Sequence, residues 1–133
     1  MDGLPTNIRI NAISYASPRV GNKAYQDAFT ALEDSGKLRH VRVSNEGDVV
    51  AVAPSIGFRQ TGLNLHVSPD GMMDINYLNN RSFFSQINLG AAKMHGLNSY
   101  HERMFRDENK AILDMSVDQL YENFVSSDTC TSK

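Results

Sequence analysis

The sequence predicts an α/β fold, a mostly parallel sheet with flanking helices. Two observations carry this. Residues 7–44 read strand, helix, strand, and a βαβ unit implies parallel pairing with a right-handed crossover. The first strand is apolar on both faces, as suits a sheet covered on both sides.

In residues 7–16, Ile8, Ile10 and Ala12 share one face of an extended chain and Ile13 and Tyr15 lie on the other. Ser17-Pro18-Arg19-Val20-Gly21 is a turn. Asn22 is suited to cap a helix, whose stripe is Tyr25, Ala28, Phe29 and Leu32. Gly36 stands where that helix stops. Leu38 to Ser44 is a second strand, with Val41 and Val43 alternating against Arg42. Asn45-Glu46-Gly47-Asp48 follows as a loop, and Val49 to Pro54 is an apolar stretch closed by proline.

Phe58 to Val67 reads as an extended hairpin or edge strand, with Leu63, Leu65 and Val67 alternating. Ser68-Pro69-Asp70-Gly71 is a turn, and residues 72–94 are expected to be mostly loop. A helix begins just after His95 with Leu97, Tyr100 and Met104 on one face. Ser116 and Gln119 have capping-box spacing ahead of a stripe of Val117, Leu120, Tyr121 and Phe124. The last few residues are expected to fray.

Composition narrows the function classes. A net charge of −2 leaves no electrostatic footprint for nucleic acid. Residues 107–133 hold six acids and two bases, so the slight basic excess of residues 1–106 is too scattered to bind phosphates. The single cysteine, Cys130, excludes an intrachain disulfide. No apolar stretch approaches the ~18–20 residues of a transmembrane helix, and Met1 to Pro5 does not resemble a signal peptide. His40, His66 and His101 have no convincing metal-ligand spacing, so no metal is expected.

Two residues are candidates for chemistry. Asp48 sits at the C-terminal end of a parallel strand, where open α/β sheets place catalytic groups. A carboxylate there can orient an imidazole through its Nδ1–H, or it can simply cap a turn. His95 follows a loop-like stretch and precedes an amphipathic helix, a place from which it can act as general base or merely enter a helix. No serine lies in a G-x-S-x-G pattern.

Four blocks in order resemble the class-three, fungal-type lipases. Ala16-Ser17-Pro18-Arg19-Val20-Gly21-Asn22 is similar to a signature that follows the nucleophile's strand-and-helix unit. Val43-Ser44-Asn45-Glu46-Gly47-Asp48-Val49-Val50 looks like that family's next strand and catalytic Asp. Gly57 to Leu65 resembles its following Gly-aromatic-basic segment. His95-Gly96-Leu97-Asn98-Ser99-Tyr100 looks like its catalytic-His motif, with a Tyr five residues on. Ala51 and Ala53 depart from the family's prolines, and Gly96 is a milder departure.

The resemblance implies the C-terminal part of an α/β-hydrolase domain over residues 1–106, followed by a helical extension over residues 107–133. It implies Asp48 and His95 as catalytic residues, with the serine expected upstream, in the chain order Ser, Asp, His. The implied activity is serine ester hydrolysis of acylglycerols or phospholipids at a lipid–water interface, with no cofactor. These 133 residues alone are expected to be inactive. Pro18 and Gly21 would set the turn, and Arg19 would support the site by pairing with a backbone carbonyl or a carboxylate. The competing expectation is a non-catalytic remnant or interaction module that needs a partner chain to cover its Ile8–Tyr15 strand.

Overall fold

The computed structural model of the chain describes residues 8–77 and 95–128. Four strands form one sheet in the order β1 (Ile10–Tyr15), β2 (Leu38–Asn45), β3 (Leu63–Val67), β4 (Met73–Tyr77). The first three are parallel, and β4 is antiparallel to β3. Helix α1 (Lys23–Asp34) connects β1 to β2, and the four-residue α2 (Val49–Val52) follows β2. Helix α3 (Leu97–Met104), α4 (Lys110–Leu113) and α5 (Val117–Asp128) complete the described elements, with one 3₁₀ turn at Asp107–Asn109. The result is α/β with a mostly parallel sheet.

The βαβ unit forms as the local signals dictate. The Asn22 side chain accepts from the Tyr25 N–H at 3.1 Å, satisfying a donor that the first turn of α1 leaves open. At the other end Gly36 takes a φ of +70°, and its N–H donates to the Glu33 carbonyl at 2.9 Å. The capping box at α5 also forms. Ser116 N–H donates to Gln119 Oε1 at 2.8 Å, and Gln119 N–H donates to Ser116 Oγ at 3.2 Å.

The two faces of the sheet differ sharply. Val41, Val43, Leu63, Leu65, Val67 and Met73 face one way and pack with Tyr100, Met104 and Leu120 into the core. Burying a side chain of this kind contributes about 1.5–3 kcal/mol, so this cluster dominates the fold's stability. The opposite face carries Arg42 and Ser44 on β2 beside Asn64 and His66 on β3, all buried.

That polar face explains where the sequence reading fails. Leu63–Val67 is an inner strand paired on both sides, not an edge or a hairpin arm begun at Phe58. Asn64 and His66 suggest a solvated face but are buried against polar neighbours. Residues 58–62 stay outside the strand, apart from an isolated bridge between Gly21 and Arg59. Part of the expected loop at 72–94 is also strand: Met73–Tyr77 is β4, folded back by the Ser68–Met72 turn. Methionine, aspartate and asparagine are weak β-formers, and pairing with β3 overrides their propensity. The rest of that expected loop, and Cys130, lie outside the described residues.

Two faces expected to be covered are open. β1 is an edge strand among the described residues, with Ile10, Ile13 and Tyr15 43–55% exposed. On α3, Tyr100 and Met104 are buried but Leu97 is 80% exposed, because the helix packs through its later turns.

Candidate active site

Asp48 lies just past the C-terminal end of β2. Gly47 turns the chain there with a φ of +86°, a conformation that L side chains rarely adopt. Asp48 then serves as N-cap of α2, and its Oδ1 accepts from Val50 N–H at 2.9 Å and from Ala51 N–H at 3.4 Å. Its other oxygen, Oδ2, accepts from the Tyr100 hydroxyl at 2.7 Å and meets His95 Nδ1 at 3.1 Å. The carboxylate is fully buried.

His95 stands two residues before α3, with 44% of its side chain exposed. Because Nδ1 faces Asp48, Nε2 lies on the far side of the ring. A carboxylate at Nδ1 fixes the proton there and leaves Nε2 with a free lone pair. The 47 residues that separate Asp48 from His95 in sequence are closed by the packing of α3 on β2.

Tyr100 is the partner of Asp48 that the helical pattern hides. The spacing assigns it to the apolar stripe of α3, and its ring is indeed core. Its hydroxyl, however, accepts from the Asn45 N–H at 3.1 Å while donating to Asp48. Burial, reinforced by the hydrogen bond to Asp48, raises its pKa far above the ordinary phenol range, so it stays a neutral donor. The one sequence signal for this role is the tyrosine five residues after the histidine.

The backbone around Asp48 is held from two sides. Arg103 Nη1 donates to the Glu46 carbonyl at 3.2 Å. Arg19 Nη1 donates to the carbonyls of Val52 and Pro54, and the Arg19 N–H donates to Ala53 O at 2.8 Å. Arg19 thus clamps backbone carbonyls rather than a carboxylate. Burial, with the nearby Arg59 charge, lowers its pKa. We expect Arg19→Ala to cost about 1.5–3 kcal/mol, the range for hydrogen bonds from a charged donor, read as a lower urea midpoint. An unchanged midpoint would show that the clamp does not hold the loop.

The remaining histidines lie elsewhere. His66 Nδ1 meets Ser44 Oγ at 3.2 Å and its Nε2 meets Glu46 Oε2 at 3.4 Å. His101 stacks near Phe105, with ring centroids 4.8 Å apart. His40 Nε2 meets Ser14 Oγ at 2.9 Å, a second serine–histidine contact that sequence reading misses. Its Nδ1 is buried with no hydrogen-bond partner, so no carboxylate orients that ring. Burial, then the Arg42 charge, also lowers the His40 pKa and weakens it as a cation. Among the described residues no three metal-binding side chains cluster, and no helix is long and apolar enough to cross a membrane.

Comparison with known proteins gives a partial match to one family. Residues 1–58 match the family model "Lipase (class 3)", a segment that contains Asp48 but not His95. "Phospholipase A1-II 7" from Oryza sativa subsp. indica is 39% identical over 59 residues, 44% of this chain and 14% of that protein. "Phospholipase A1-II 2" from the same rice is 35% identical over 60 residues, 45% of this chain and 14% of its own length. "Phospholipase A1-IIgamma" from Arabidopsis thaliana is 38% identical over 53 residues, 40% of this chain and 12% of its length. The aligned segments are therefore about one seventh of these relatives or less. No solved structure matches the chain significantly. Over its first 58 residues, the chain is similar to the class 3 lipase family.

Proposed function

We propose that Asp48 and His95 are the acid and base of a Ser-His-Asp triad in a lipid carboxylic-ester hydrolase. In this reading the chain is the C-terminal part of an α/β-hydrolase domain. The serine and the oxyanion donors come from a segment outside these 133 residues. The observation that carries the reading is His95 Nδ1 on Asp48 Oδ2 at 3.1 Å, with Nε2 turned outward from a half-exposed ring. The class 3 lipase match over residues 1–58 and the phospholipase A1 relatives support a lipid ester as substrate.

The chemistry follows from that arrangement. His95 Nε2 accepts the serine Oγ proton as the oxygen attacks the ester carbonyl carbon. The resulting imidazolium is stabilised by buried Asp48, which remains ionised. The tetrahedral intermediate collapses, His95 protonates the leaving alcohol, and an acyl-enzyme remains. Water then repeats the sequence and releases the fatty acid. Tyr100 and the α2 N–H groups hold Asp48 in place and are positioning groups.

A test joins the chain to its G-x-S-x-G segment and presents phospholipid vesicles and acylglycerol emulsions. Release of fatty acid, with covalent capture of the serine by an organophosphonate, is the expected result. The 133 residues alone give neither. Failure of the serine-bearing protein to cleave any carboxylic ester overturns the reading.

A second reading rests on the open β1 edge, where Ile10, Ile13 and Tyr15 are exposed. A non-catalytic module would use that edge to take a strand from a partner chain. It predicts oligomers of the 133-residue chain, which a monomeric mass in solution contradicts.

A further inference from the structure

Arg42 is 3% exposed, in the middle of β2 on the polar face of the sheet. A guanidinium has five N–H donors, and here one side-chain hydrogen bond accounts for it: Nε to the Thr61 carbonyl at 2.7 Å. Nη2 is buried without a partner, and among the described residues no carboxylate pairs with this cation. Directly opposite in the β2–β3 register stands Asn64, fully buried, whose Nδ2 also lacks a partner. Arg42 lines a small cavity with Ser44, Asn45, Gln60, His66, Ala51 and Val52.

A buried charge is costly unless it is paired. Both unsatisfied groups here are N–H donors, so the missing partner is an acceptor. Water can accept a hydrogen bond, but it leaves the charge uncompensated. A second cation worsens the balance: burial and then the field of Arg19 lower the Arg42 pKa to about 10, although Glu33 acts in the opposite direction without touching the guanidinium. At neutral pH Arg42 is still a cation, and it faces a cavity floored by α2, the turn that begins at Asp48.

We propose that this cavity is a binding site for a small monovalent anion of the halide class, held by the Arg42 guanidinium beneath α2. The anion neutralises a buried cation that makes no direct ion pair with a carboxylate among the described residues. It also ties the backbone that follows Asp48 to the centre of the sheet. This inference is independent of the hydrolase reading, because it needs neither His95 nor a serine.

The test is thermal unfolding of the protein at fixed ionic strength, with gluconate replaced stepwise by chloride or bromide. A saturable rise is expected, of about 5 °C when halide reaches roughly ten times its Kd. Crystals grown in bromide should show an anomalous peak in the cavity beside Arg42. Removing Arg42 risks unfolding the sheet, so the variant of choice is Asn64→Asp, which sets a carboxylate opposite the guanidinium. It should unfold at a higher temperature in gluconate and lose the halide response. Three results overturn the proposal: no halide-specific rise in the parent protein, a bromide peak absent from the cavity, or an equal rise in Asn64→Asp.

Discussion

His95→Ala in the serine-bearing protein is expected to lower kcat for ester hydrolysis by roughly 10⁶-fold, with KM little changed. The loss is large because the half-exposed ring is proposed to act in the reaction rather than in the packing. Without Nε2, no group takes the serine proton or returns one to the leaving alcohol. Asp48→Asn is expected to lower kcat by roughly 10⁴-fold. The four interactions of Asp48 give the reason, since an amide cannot replace a carboxylate there. If Asn kept its oxygen toward Tyr100 and His95, its NH₂ would face the N–H groups of Val50 and Ala51. If it flipped, its NH₂ would point at His95 and force the proton onto Nε2, the tautomer that cannot accept from serine. Initial rates on a soluble ester, with circular dichroism to confirm folding, check both variants. Activity within tenfold of the parent for His95→Ala would remove the histidine from the mechanism.

The second large effect falls on stability. Asp48→Ala leaves the buried hydroxyl of Tyr100 and the N–H groups of Val50 and Ala51 without their acceptor. Each unsatisfied buried donor costs about 1–3 kcal/mol, and the effects are not additive, so a total of roughly 3–5 kcal/mol is expected. Whole domains are stable by about 5–15 kcal/mol, so this variant approaches the limit of folding. The melting temperature should fall by about 10–20 °C. His95→Ala serves as the control, because its half-exposed ring supports little and its loss should cost under about 1 kcal/mol. Equal stability of the two variants would contradict the structural role given to Asp48.

Much of this arrangement is legible in the sequence where local physics decides it. Asn22 caps α1, Gly36 ends it, and Ser116 with Gln119 closes the last capping box, because each depends on neighbours within four residues. The parallel β1–α1–β2 unit follows from two apolar strands and one amphipathic helix. What is hidden depends on long-range pairing. Asn64 and His66 look like solvent-facing residues, yet they sit in the interior of the sheet, so the strand reads as an edge. Met73–Tyr77 has little β-propensity of its own and becomes a strand through β3. At the candidate site, the resemblance to a family names Asp48 and His95, while spacing alone leaves each open to a bland reading. Their contact, and the hydroxyl of Tyr100 beneath it, emerge only when α3 lies against β2.

The measurement that tests the central claim most directly is the kcat of the double variant, Asp48→Asn with His95→Ala, beside the two single variants. Groups that act as one proton-transfer unit are not additive, so the double variant should match His95→Ala within about threefold. Losses that multiply, to roughly 10¹⁰-fold or the limit of detection below the slower single variant, would mean that Asp48 and His95 act independently.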